Sequence, residues 1–333
     1  MDERLPWHTQ QWHTLNAARA SGRMPHALLL RGPTGVGKHR FAERLAAWLL
    51  CEQDTLEGRP CATCRGCRLI AAGTHPDLAR IAPLEGKTAI GIEQIRDLIE
   101  YIGLTRQYAS HKVVLLAPAE AMTRGAANSL LKTLEEPPGS AVFVLVSHRS
   151  ALLPATIRSR CQVIDFPMPP GDGAREWLAA RLGGDGDPET LLALGHGAPL
   201  TALDLARRGT GQEDRTALLE DLVALAGGGA DPVAAAARWR RWGLRPVVHW
   251  LCGHTADLIR LKCVPGRPKV TSTDLREPMQ GLAEKLNLLF LFEFFDECLE
   301  ARRALDLRQN LNEQLVLESL AVGWRRLGSD SGA

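Results

Sequence analysis

Two hydrophobic patterns divide this chain. In the first half, short unbroken apolar runs alternate with stretches whose apolar residues recur every three or four positions. Ala27–Leu30, Lys112–Ala117, Ala141–Ser147 and Gln162–Phe166 are such runs, and Asp77–Ile81 is a weaker one. Runs of this length read as strands buried on both faces. Between them, Lys38–Leu50, the series Ile92, Ile95, Ile99 and Ile102, and Ala126–Glu135 carry helical spacing. Strands alternating with helices predict a parallel sheet covered on both sides.

The pattern changes at Phe166–Gly173 (FPMPPGDG), a linker rich in proline and glycine. Beyond it only helical spacing remains, with breakers at Gly183–Pro188, Gly209–Gln212 and Gly227–Pro232, and a polar loop at Cys263–Asp274. The stretch from about Gly281 to Leu327 reads as two helices that bury Leu286, Leu289, Phe290 and Leu315 on one face. The plan is an α/β domain, a small helical domain and a larger helical domain. A length of 333 residues fits two or three domains.

Composition narrows the functional classes. With 45% hydrophobic and 23% charged residues the chain is globular, and a net charge of +2 gives it no overall basic field for nucleic acid. No apolar run approaches the roughly 18 residues of a membrane span. The opening MDERLPWHTQ has no apolar signal core, so a soluble cytoplasmic protein is expected.

Two motifs carry candidate chemistry. Gly32–His39 (GPTGVGKH) follows a strand and precedes a helix, as a phosphate-binding loop does. Gly32, Gly35 and Gly37 would let backbone N–H groups curl around phosphate oxygens, and Lys38 would reach the outer phosphates. However, His39 stands where a Ser or Thr hydroxyl would coordinate Mg²⁺. Ala117–Pro118 follows the third strand, where a nucleotidase needs acids, and Glu120 lies two residues late. ATP turnover is therefore not expected, and ATP or ADP binding is expected to be weak and Mg²⁺-independent at most. The second motif is Cys51, Cys61, Cys64 and Cys67, spaced C-x9-C-x2-C-x2-C. Four thiolates suit a closed, structural Zn²⁺ site, with an iron–sulfur cluster as the alternative. Arg59, Arg65 and Arg68 flank the thiols and would favour their ionised forms.

Asn128–Pro138 (NSLLKTLEEPP) and Thr156–Cys161 (TIRSRC) resemble bacterial clamp-loader AAA+ subunits of the DNA polymerase III holoenzyme, and the resemblance runs over essentially the whole chain. It implies an α/β AAA+ domain over residues 1–167 with a zinc module at about 51–67, a small helical lid over 168–209 and an all-α collar over 210–333. It also implies that Ser159, Arg160 and Cys161 supply an arginine finger, with Arg160 acting in trans at a neighbour's γ-phosphate and Arg158 the lesser candidate. Active members carry a lid arginine where Gly197–Leu203 (GAPLTAL) has Leu200. The implied role is a non-hydrolysing wall of the ring that loads a sliding clamp onto primed DNA. Its partners would be the clamp-loader ATPase subunits and the delta subunit, then the clamp, with DNA met through the assembled complex and no membrane. Nucleotidyl transfer would belong to the holoenzyme, at the replisome on the nucleoid.

Two rival functions remain open: an active motor using Glu120 with His39, and a zinc-dependent nucleic-acid binder acting alone. Among weaker signals, Ser147 ends the fourth strand, where active relatives sense the γ-phosphate. His249 and Cys252 share a helix face with His254 turned away from Cys252, a pattern of ordinary packed residues. Arg238, Arg240, Arg241 and Arg245, interleaved with Trp239 and Trp242, read as a helix with Trp inside and Arg outside rather than as a DNA-binding stripe.

Overall fold

The computed structural model describes residues 4–53, 59–104, 110–184, 186–207, 212–266, 268, 270–306 and 311–329. The breaker at Gly209–Gln212 lies almost wholly outside them, as do two positions of the Cys263–Asp274 loop. The chain divides into two compact units, residues 1–177 with 197–201, and residues 178–196 with 202–333.

The first unit is built as α1 (Thr9–Ala20), β1 (Ala27–Arg31), α2 (Lys38–Leu49), α3 (Arg65–Ala71), β2 (Leu78–Ile81), α4 (Ile92–Gly103), β3 (Lys112–Leu116), α5 (Arg124–Glu135), β4 (Ala141–Ser147), α6 (Ala155–Arg158) and β5 (Gln162–Asp165). The strands form one five-stranded parallel sheet in the order β2-β3-β4-β1-β5. In the register Leu29 lies beside both Leu145 and Val163.

Alternation explains the unbroken apolar runs. Leu28 and Leu30 of β1, Val113 and Leu115 of β3 and Val142, Val144 and Val146 of β4 join one core with Trp12, Phe41 and Trp48 of α1 and α2. The intervening Ala27, Leu29, Val114, Leu116, Phe143 and Leu145 join the opposite core with Ile95, Leu98 and Leu130 of α4 and α5. Each central strand therefore has no polar face. Local chemistry fixes the helix ends. Thr123 caps α5 by accepting from the Ala126 N–H at 3.2 Å. The buried Lys112 ammonium donates to the Tyr101 and Leu104 carbonyls at the end of α4, both at 2.6 Å. Helix α1 was not anticipated: only Trp12, Leu15 and Gln11 of its twelve residues are buried.

α7 (Gly171–Leu182) starts inside the expected linker. The helical region continues with α8 (Pro188–Leu194), α9 (Pro199–Arg207), α10 (Gln212–Ala226), α11 (Pro232–Trp239), α12 (Leu244–Cys263), α13 (Arg276–Lys285), α14 (Leu288–Asp306) and α15 (Glu313–Ser329). Asp187 and Asp231 cap α8 and α11, each followed by proline in the first turn. Trp239, Trp324, Phe294 and Leu251 centre this unit's core. Leu286 is buried there, but Leu289 and Leu315 are each 63% exposed, so these two do not join the inward face as expected. The segment after α12 is anchored by one carboxylate: buried Asp257 accepts from the Thr271 and Ser272 N–H groups at 2.8–3.0 Å and from Arg260 at 2.7 Å.

Trp239 and Trp242 do turn inward, and their indoles donate to Asp221 and Asp214. Arg238 is bound to the same Asp221 carboxylate. No helix among the described residues is long and apolar enough to cross a membrane.

Candidate phosphate loop, arginine and cysteine centre

The glycine loop lies between β1 and α2, and Gly35 and Gly37 take the left-handed backbone conformation (φ 79° and 94°) that side chains disfavour. Space forbids a side chain as well. A Cβ on Gly35 would collide with Thr201 and sit 2.9 Å from the Ala198 methyl, and one on Gly37 would collide with Leu5. The loop is thus packed by residues of its own unit. Leu200 donates its N–H to the Gly35 carbonyl at 3.0 Å. Trp7 Nε1 and His8 Nε2 both approach the Val36 carbonyl, at 2.9 and 2.8 Å.

Lys38 is 2% exposed, and its ammonium donates to the Gly32 and Pro33 carbonyls at 2.6 and 2.5 Å. Burial pushes its pKa down to about 8 against the attraction of Glu120. The side chain that would reach a phosphate is spent on its own loop. His39 is exposed and stands 3.9 Å from Glu43. At the end of the neighbouring strands, Glu120 accepts from the His148 N–H at 3.0 Å. Its second oxygen, Ser147 Oγ and His148 Nδ1 are buried without partners among the described residues.

Arg160 follows α6. Its Nε donates to Glu135 Oε1 at 2.7 Å, one Nη donates to the same oxygen, and the other donates to the Thr156 carbonyl at 3.0 Å. Glu135 ends α5, within the NSLLKTLEEPP segment. The sequence displayed this partner, but nothing in its spacing disclosed the pairing. Arg31 and Asp165, paired at 2.5 Å across β1 and β5, were also not anticipated.

The four cysteines do converge. Sγ atoms of Cys51, Cys61, Cys64 and Cys67 all lie within 4.8 Å of one another, with Cys61 and Cys67 3.9 Å apart. A tetrahedral Zn²⁺ with bonds of about 2.3 Å sets sulfurs about 3.8 Å apart, so the donor set fits. Backbone N–H groups already point at the sulfurs: Cys61 N–H at Cys51, Cys64 N–H at Cys61 and Cys67 N–H at Cys64, at 3.3–3.4 Å. The last of these bonds makes Cys64 the N-cap of α3. The N–H of Cys64 and groups of Thr63 lower the Cys61 thiol to about 6. These hydrogen bonds, rather than the flanking arginines, are the main cause. Burial raises Cys51 and Cys67, a cost that a bound cation reverses.

His249, Cys252 and His254 lie in the helical unit, and all three residues line one cavity there.

A parallel sheet whose first strand leads through a glycine loop into a helix, followed by an all-helical region, defines an α/β protein of the nucleotide-fold class. The family described as "DNA polymerase III, delta subunit" matches residues 7–170, and its C-terminal counterpart matches residues 211–326. The DNA polymerase III subunit delta′ of Pseudomonas aeruginosa is 37% identical over 329 residues, covering 98% of this chain and 99% of that protein. The Escherichia coli subunit of the same name is 32% identical over 318 residues, covering 95% and 94%. A gamma subunit-related protein of DNA polymerase III from Thermotoga maritima matches in structure with a TM-score of 0.46 and 20% identity, covering 96% and 99%. This chain belongs to the DNA polymerase III delta′ family.

Proposed function

We propose that this chain is a non-hydrolysing wall of a ring-shaped AAA+ clamp loader, helping to place a sliding clamp on primed DNA in the cytoplasm. It would stand beside ATPase subunits and the delta subunit, with residues 1–167, 168–209 and 210–333 serving as AAA+ domain, lid and collar. The observation that carries this reading is the Lys38 ammonium held by the Gly32 and Pro33 carbonyls. With His39, Ala117–Pro118 and Leu200 where a motor needs a hydroxyl, acids and an arginine, the usual set of groups that hold Mg²⁺ and orient water is missing, and Glu120 is the one acid left nearby. The phosphate loop is then a structural relic, and nucleotide held at Gly32, Gly35, Gly37 and Lys38 would have to displace Leu200 and its neighbours.

In this reading Arg160 waits on Glu135 and transfers to the γ-phosphate of the adjacent subunit on assembly. A phosphate carries more charge than one carboxylate, and the exchange trades one charge-assisted pair for a stronger one. Zinc, when bound to Cys51, Cys61, Cys64 and Cys67, supplies a closed structural centre with no chemistry of its own.

A second reading, an active motor, has one observation in its favour: the unpartnered Glu120 oxygen near Lys38. ATP hydrolysis by the purified chain decides between them. No turnover above a Lys38→Ala control is the expected result, and Lys38-dependent turnover gives the motor first place. In the reconstituted complex, Arg160→Ala is expected to slow DNA-stimulated ATPase at the site it serves by about 10³-fold while leaving assembly intact. Unchanged ATPase removes the finger role.

A further inference from the structure

The helical unit contains a cavity of about 200 Å³ with an unusual lining. Three imidazoles, His196, His249 and His254, face it together with three guanidinium side chains, Arg215, Arg260 and Arg302. No carboxylate is among the lining residues. The acids that serve this region sit behind the lining: Asp274 pairs with Arg215 at 3.3 Å, and Asp257 with Arg260 at 2.7 Å. Arg302 has no ion-pair partner among the described residues, yet its charge is felt by His196, His249 and Cys252.

His254 is the second observation. It is 1% exposed, and neither ring nitrogen has a hydrogen-bond partner among the described residues. The Arg215 backbone lies near the ring without completing hydrogen-bond geometry. A buried imidazole left unpartnered beside a polar cavity marks a group waiting for a ligand or ordered water. Burial, then the neighbouring charge, lowers His249 to about 4 and His254 to about 3. Both rings are therefore neutral at neutral pH, each with one N–H; His249 donates its own from Nε2 to the Leu194 carbonyl at 3.2 Å, so of the two only His254 has an N–H to offer a ligand.

The chemistry selects the ligand's sign. A metal cation would meet three guanidiniums and no acid. Moreover, the four cysteines are the only group of His, Cys, Asp or Glu among the described residues whose ligand atoms converge. An anion meets the guanidinium groups and the unpartnered ring of His254. Guanidinium forks match the oxygens of a tetrahedral oxyanion, and the space exceeds what a lone water fills.

We propose that this cavity binds a small oxyanion of the phosphate class, held by the unpaired Arg302 fork and the imidazole N–H groups of His196 and His254. The chemistry is shared by inorganic phosphates and by the phosphate of a free nucleoside ester. Two probes separate those sources: pyrophosphate and deoxyadenosine monophosphate.

The full chain is titrated with each probe by calorimetry in a buffer free of phosphate and sulfate, and the imidazole nitrogens are followed by NMR. One-to-one binding that moves the His249 and His254 resonances is expected. Arg302→Gln, at an exposed side chain whose loss does not threaten the core, is expected to weaken binding about tenfold or more. Arg238→Gln, which removes an exposed arginine already bound to Asp221, is expected to change it less than about twofold. Binding of pyrophosphate but not of the nucleotide supports the site and names an inorganic source, and the reverse names a nucleoside ester. No binding of either probe at millimolar concentration overturns the proposal. So do equal losses in both variants, or binding that leaves the His254 resonances unmoved.

Discussion

Helix α2 joins two ligand-shaped features that behave in opposite ways. At its start, the glycine loop keeps the backbone geometry of a phosphate cradle, but its lysine donates inward and Leu200, Ala198 and Thr201 fill the space above it. Just past its end, Cys51 meets Cys61, Cys64 and Cys67 with the sulfurs converging and N–H groups aimed at them. One site has kept its shape while its lysine is satisfied by the loop's own carbonyls. The other has kept its donors pointed at a common centre. Glycines persist where backbone and packing require them, whatever the ligand does, whereas the four converging sulfurs form a donor set that could hold a tetrahedral cation.

The largest effect expected from breaking this comparison lies at the cysteines. Cys67→Ser should lower zinc affinity by more than about 100-fold, since even indirect disturbance of such sites costs 10–100-fold. Metal analysis after anaerobic purification checks this, and iron with a brown chromophore would replace zinc by the cluster alternative.

Next comes acid. Burial holds His8 at about 4, against an ordinary 6.5, with its Nε2 on the Val36 carbonyl of the loop. Between those values the unfolded chain binds the proton and the folded chain does not. The stability from this group is therefore complete above pH 6.5 and lost as pH falls through 4, by up to about 3 kcal/mol. His8→Gln should flatten that part of the denaturation profile. An unchanged slope would mean that other groups carry the acid sensitivity, and His249 and His254 are the first to test.

A smaller effect separates function from fold at Arg160. Its pair with Glu135 is partly exposed, so Arg160→Ala should change the thermal stability of the isolated chain by less than about 1 kcal/mol. A larger loss would mark the arginine as structural. The smallest effect is at His39. Returning the hydroxyl with His39→Thr should leave Mg²⁺-ATP affinity within about twofold, under ~0.5 kcal/mol, because Lys38 stays occupied. A clear gain in affinity would show that the hydroxyl was the only thing missing.

The sheet was legible because each central strand feeds two cores. Ala141–Ser147 matches its observed bounds, and Ala27–Leu30 misses only the exposed Arg31. Helix α1 escaped notice because its inward stripe is little more than Trp12 and Leu15. The start of α7 was hidden by Gly171 and Gly173, which signal a linker although the first turn of a helix tolerates them. Leu289 and Leu315 were misplaced because helical spacing identifies a face without saying what covers it. At the sites, ligand type and spacing disclosed the cysteine centre. The pairing of Arg160 with Glu135, the inward turn of Lys38 and the gathering of His254 and Arg302 around one cavity all depend on tertiary proximity, which no local pattern encodes.

The single carboxylate of Asp257 has a practical consequence for engineering. It fixes Thr271 and Ser272 at the far end of the excursion that leaves α12, so the return path is held independently of the tip. Val264, Pro265 and Gly266 are exposed beyond that anchor. Lengthening a loop whose ends are pinned adds little closure entropy, about 0.6 kcal/mol per doubling. This tip is where a peptide tag or fluorescent reporter can be inserted with the helical unit still folded around it.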